Sequence, residues 1–333
     1  SGGAASNYTL TGGTHNFTVN RRVVGVSGTR LYDATTNAVA SDLSTHANLV
    51  GSQTLTLSGT GTIASKDVGS SKTVSVGTLA LGNGSNGGLA ANYTLTGGTH
   101  QLTVNQRPLN ATLARQYDGT TNAAGSDLSS FDALQGGETL TLSGSGTAAN
   151  DNVANGISVS SLGSLALVNG TGLASNYSLN SAAINITQRV LNSSGSKTYD
   201  ANTNALAGAI TLSNLVSGEA LNHSGTATTS SANAGSYTIS NLSGISIADG
   251  SGGAASNYTL TGGTHNFTVN PKVVSIQGNK TYDGNATISA GNITSVVGTV
   301  GTQTLVISGG SGTVSSANAA TYSSSGINVG TLT

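Results

Sequence analysis

Four Tyr-Asp pairs punctuate the chain, at Tyr32-Asp33, Tyr117-Asp118, Tyr199-Asp200 and Tyr282-Asp283, and a base stands two residues before each tyrosine: Arg30, Arg115, Lys197 and Lys280. A ring beside a carboxylate and a cation can stack on a sugar and hydrogen-bond its hydroxyls, which would make each pair a glycan platform. The architectural reading is different. The ring packs at the end of a folded unit, the aspartate accepts backbone N–H groups in an Asx-type turn, and the base pairs with a nearby carboxylate. Recurrence favours architecture, because a fold must be rebuilt in every unit and a binding site need not be.

Other chemistry finds less support. Calcium takes about six to eight oxygen ligands, usually with several carboxylates. The acids here are scattered, as in Asp33, Asp42 and Asp67, with no DxDxD run; no cofactor is expected, and calcium stands only as an alternative. His15, His100 and His265 share one position, yet residues 181–184 of another repeat have no histidine, and His46 and His223 are isolated. No serine lies in a G-x-S-x-G elbow, and no pair of acids recurs at a glycosidase-like spacing. The Gly pairs read as turns, not phosphate loops. The chain is expected not to be an enzyme, with no catalytic, ligand-binding or metal-binding residue assigned. Asn-x-Ser/Thr triplets such as those at Asn7, Asn92 and Asn176 follow from a composition rich in Asn, Ser and Thr.

Lys and Arg number 11 and Asp and Glu 12 among 333 residues, a formal net charge of -1. That leaves no basic stripe for nucleic acid. No apolar run approaches the roughly 18 residues that span a bilayer, and nothing resembles a signal peptide. Cys and Met are both absent. The first excludes a disulfide framework and suits an exported protein that crosses membranes unfolded; the second reads as an internal or processed start.

The Tyr-Asp pairs are spaced 85, 82 and 83 residues apart. A second marker, Asn-Tyr-x-Leu, places Tyr8, Tyr93, Tyr177 and Tyr258 at intervals of 85, 84 and 81. A fixed period of this size defines a tandem array. Residues 1–20 repeat residues 251–270 letter for letter. They are expected to form the closing hairpin of a preceding module, followed by modules at 21–105, 106–188 and 189–270 and an incomplete one at 271–333. The chain is read as a segment of a longer repetitive protein.

Within the first full module, residues 53–58, 73–81, 92–96 and 101–104 alternate apolar and polar, as half-buried strands do. Residues 42–49 read as a loop or at most one helical turn. About seven short strands in 83 residues predict an all-β fold, a tandem array of small β-sandwich-like, Ig-like modules forming an elongated rod. β-Grasp-like modules are the alternative if residues 42–49 and 127–134 are helical. A parallel β-helix is another, though it predicts a coil repeat of about 20–25 residues, and none is visible. The final strands, such as Leu102-Thr103-Val104, run into the next module after only Asn105-Gln106-Arg107, Thr187-Gln188-Arg189 or Asn270-Pro271-Lys272. So little slack predicts a stiff rod of roughly 35–45 Å per module, with neighbouring modules as partners.

RQYDGTTNA (115–123), KTYDGNA (280–286), GETLTLSGSGT (137–147), NAGSYTI (233–239) and ANYTLTGGTHQLTVN (91–105) resemble the YDG-type and related MBG-type repeats of large bacterial surface proteins. Such repeats are found particularly in filamentous-haemagglutinin-like adhesins exported by two-partner secretion, and the resemblance covers essentially the whole chain. It implies a cell-surface or biofilm-matrix location, a stalk that projects a distal binding domain, and no catalytic residue. Ala34 and Ala201 depart from the Gly of the pattern, so those turns are expected to differ. Two other functions remain open: weak glycan binding multiplied along the array, and head-to-tail self-assembly into a fibre by strand donation at an open sheet edge.

Overall fold

A computed structural model describes residues 2–333. The chain divides into two compact units, one made of residues up to Arg115 together with Thr120–Ile186, the other of Gln116–Gly119 and Thr187–Thr333. The turn carrying Tyr117 thus belongs with the residues of the later unit. The described residues contain strands and three-residue 3-10 turns but no α-helix. The fold is all-β and built in tandem repeats of about 83 residues.

In the first module, Gly25–Leu31 lies one strand in from the edge of a six-stranded sheet. On one side it pairs antiparallel with Thr45–Ala47, on the other parallel with His100–Asn105. Gly69–Ser75, Thr60–Ile63 and Asn37–Val39 extend the sheet by antiparallel pairing. Leu55–Ser58 and Ala80–Asn83 form a separate pair that lays Leu57 and Leu81 against the buried cluster to which Val26, Leu102 and Val104 belong. His100–Asn105 shows why the alternation works: it buries every second side chain, His100, Leu102 and Val104. The equivalent sheet recurs in the second module and, with Ile245–Ala248 added, in the third. Each sheet pairs residues of one repeat only, whereas a parallel β-helix would carry one sheet through all of them.

Three local expectations are corrected. Residues 42–49, read as a loop or at most one helical turn, hold a strand, Thr45–Ala47, after the 3-10 turn Ala40–Asp42. Gly125–Asp127 and Leu128–Phe131 repeat this, so the helix that the β-grasp alternative required is replaced by a strand. The single strand expected at 73–81 is two strands, broken where Gly77 turns to a φ of 54°. Residues 1–20 do not form their hairpin: among the described ones there is a single 3-10 turn, Ala5–Asn7, and no strand. Their twin 251–270 forms Tyr258–Thr259 and His265–Asn270 because Asn192–Thr198 and Gly235–Asn241 are there to pair with the second. Phe267 is 1% exposed, and Phe17, in the same local sequence, is 92% exposed.

The turns at Ala34 and Ala201 do not differ from their glycine counterparts. Their φ values are 64° and 63°, against 73° at Gly119 and 80° at Gly284. A Cβ in this left-handed region is strained. Ala201 is exposed, so Ala201→Gly should raise stability by about 0.5–1 kcal/mol in urea unfolding; a loss would show that the alanine is unstrained.

Candidate functional site at the module junctions

In three of the motifs the Asp shapes a turn. Asp33 accepts from the Thr35 N–H at 2.9 Å and is ion-paired with Arg30. Asp200 and Asp283 accept from the N–H groups of Asn202 and Asn285, each at 3.1 Å, and hold Lys197 and Lys280 at 2.8 Å. Arg115 reaches the Thr120 carbonyl. These short-range bonds fix the strand end so that the tyrosine points onward.

What the tyrosine meets is a residue that sequence reasoning did not single out. In the first unit Tyr32 is fully buried, and its ring packs edge-on against Tyr177, centroids 5.2 Å apart at 76°. Its hydroxyl donates to Glu138 Oε1 at 2.6 Å, and the Tyr177 hydroxyl donates to Oε2 at 2.9 Å. Lys66 Nζ donates to Oε1 at 2.6 Å. The Gln135 N–H donates to the Tyr177 oxygen, so each group in the cluster is satisfied. Around it, Arg107 donates to the carbonyls of Tyr32 and Ala133. Asn176 accepts from the Val68 N–H and donates to Asp67. Tyr32 and residues 66–68 come from one repeat, the others from the next.

The later unit repeats the arrangement. Tyr117 and Tyr258 pack edge-on at 5.4 Å and 79°, and both donate to Glu219, at 2.6 Å each. The Val216 N–H donates to the Tyr258 oxygen, and Arg189 Nη1 donates to the Tyr117 carbonyl at 3.4 Å. Gln303 stands where the glutamates stand in the other repeats, and donates to the Tyr199 oxygen at 2.8 Å. Gln53 fills the same place in the first repeat and accepts from Tyr93. Of the other marker tyrosines, Tyr8 and Tyr282 are exposed. The signal was in plain view: Gln53, Glu138, Glu219 and Gln303 each precede a residue and then a leucine at the head of an alternating segment.

Burial opposes ionisation of Glu138, but donors from Lys66, Tyr32 and Tyr177 outweigh it and hold the carboxyl below its usual value. Burial and the neighbouring carboxylates push the Tyr177 and Tyr258 hydroxyls up to about 12. They therefore remain protonated donors across the physiological range. The cluster is a clamp: each oxygen of the Glu138 and Glu219 carboxylates accepts from at least one donor. Among the described residues no three His, Asp or Glu converge as metal ligands, and none of their helices is long and apolar enough to cross a membrane. His100 and His265 are buried, each binding a carbonyl within its own hairpin, Leu95 and Leu260.

All-strand repeats locked by a tyrosine–carboxylate clamp define a class of tandem modular protein. The YDG domain profile matches residues 18–101, 100–186 and 183–266, and the chain belongs to the YDG domain family. No curated protein matches it.

Proposed function

We propose that the chain is a non-catalytic spacer of an extracellular adhesin, at a bacterial surface or in a biofilm matrix, that holds a distal binding domain away from its anchor. The Tyr32–Glu138–Tyr177 clamp carries this reading. It joins successive repeats through buried, charge-assisted hydrogen bonds, each worth about 1.5–3 kcal/mol. Only Gln106 separates the strands His100–Asn105 and Arg107–Gln116, and only Gln188 separates Tyr177–Thr187 from Arg189–Val190. A flexible tether needs many more free residues. The family likeness supports the surface location and export by two-partner secretion. The glycan-binding alternative is less favoured, since two of the four Tyr-Asp rings it would use, Tyr32 and Tyr117, are buried.

Small-angle scattering tests the spacer. Chains lengthened by one or two further copies of residues 106–188 should gain maximum dimension linearly, by roughly 35–45 Å per module. Growth as the square root of module number, the law for a flexible chain, would sink the reading. A glycan array should show no saturable binding.

A further inference from the structure

The chain enters and leaves a complete module along two strands that lie side by side. In the first module Gly25–Leu31 pairs parallel with His100–Asn105, from Val26 opposite His100 to Leu31 opposite Asn105. In the third, Asn192–Thr198 pairs parallel with His265–Asn270, from Ser193 opposite His265 to Thr198 opposite Asn270. The second sets Arg107–Gln116 beside Tyr177–Thr187 at the same place in its sheet. Further bonds lengthen the ladder. Arg22 and Val23 pair parallel with Tyr93 and Thr94, and the Val24 N–H donates to the Thr94 carbonyl. Arg189, Val190 and Leu191 repeat this against Tyr258 and Thr259. At the other end the motif tyrosine N–H donates to the carbonyl of the module's last strand: Tyr32 to Asn105 at 2.9 Å, Tyr117 to Thr187 at 2.9 Å and Tyr199 to Asn270 at 2.8 Å.

The parallel order has a mechanical consequence. Tension along the chain reaches Gly25–Leu31 at its first residue and His100–Asn105 at its last, which are opposite ends of one ladder. The strands can part only by sliding past each other, so the rungs share the load and break together. An antiparallel pair would be pulled at one end and would open rung by rung. Neither strand lies at an edge: Thr45–Ala47 flanks the first and Gly69–Ser75 the second. Val24, Val26, Leu102 and Val104 on the inner face are 0–1% exposed, so water has little access to the rungs from that side. A single residue, Gln106, then passes tension to the next module's first strand.

We propose that each module is a tension-bearing link, whose entering and leaving strands form a shear ladder that keeps the array folded under pulling force. This deepens the spacer reading and rests on it for the source of the tension. The two fail separately, because an array found flexible by scattering would leave the strength of each link unchanged.

Single-molecule pulling of the whole chain, held by peptide tags at its two ends, tests the ladder. The three complete modules should yield in steps of about 80 residues, each roughly 260–290 Å of fully extended chain. Leu31 and Asn105 are paired across the ladder and both are exposed, and the chain has no cysteine of its own. Leu31→Cys combined with Asn105→Cys, with handles on the two thiols, pulls the same strands apart sideways. At equal loading rate that geometry should open at a force severalfold below the end-to-end value, because its rungs break singly. Oxidised to a disulfide instead and pulled by its ends, the double variant should lose one of the three steps and recover it on reduction. Urea unfolding of the reduced double variant beside the native chain shows that the first module still folds. Equal forces in the two geometries overturn the proposal, as does a disulfide-closed chain that keeps all three steps.

Discussion

Tyr32→Ala should destabilise the first unit by about 3–5 kcal/mol, the range for emptying a buried aromatic site. Tyr282→Ala, at the same place in the motif, should change stability by less than about 0.5 kcal/mol. The two tyrosines share sequence and turn, but Tyr32 is fully buried while Tyr282 is 65% exposed. The alanine at position 32 removes the edge-on contact with Tyr177, worth about 0.5–1.5 kcal/mol beyond area, and a donor to Glu138. Tyr32→Phe should recover the packing and lose only the hydroxyl bond, at about 1–2 kcal/mol. With no tryptophan in the chain, urea unfolding is followed by tyrosine fluorescence. Equal effects at 32 and 282 would show that the clamp contributes nothing to the fold.

Glu138→Ala is expected to cost about 3 kcal/mol, because two buried hydroxyls lose a charged acceptor at once. The side chain is only 9% exposed, so water cannot replace it without opening the cluster. Glu138→Gln should cost less, since the amide oxygen still accepts, as Gln53 does from Tyr93. The pH dependence has a definite sign. The carboxyl is held below its ordinary value of 4.5 in the fold, so the unfolded chain takes up the proton first as acid is added. The stabilisation is complete above about pH 4.5 and is lost as the pH falls through the folded value. Unfolding measured between neutral pH and pH 3 should therefore show a steeper decline for the native chain than for Glu138→Gln. Parallel curves would remove Glu138 from the account.

Much of this architecture was legible in the residues. The recurrence of Tyr-Asp and Asn-Tyr-x-Leu gave the repeat, and alternation as at 53–58 gave the strands, because burial on one face imposes a period of two. Strand order was not legible. Gly25–Leu31 pairs parallel with His100–Asn105 across a whole module, and alternation looks the same whichever neighbour a strand takes. Glu138 stayed hidden for a related reason: its bond to Tyr32 spans 106 residues, more than one period, so a module read alone contains half the cluster. The sharpest lesson is residues 1–20 and 251–270. Twenty identical letters are strand where partners exist and bare chain where they do not, so here the β state belongs to the pairing and not to the local sequence.

The clamp also gives the array a direction. Tyr32 and Tyr117 find their cover in residues that come later in the chain, Glu138 and Tyr177 or Glu219 and Tyr258, never in earlier ones. Each repeat therefore leans on its successor, and the tyrosine nearest the carboxyl end, Tyr282, stands in water. Losing a repeat strips the roof from the ring of the repeat before it and leaves the ring of the one after it covered.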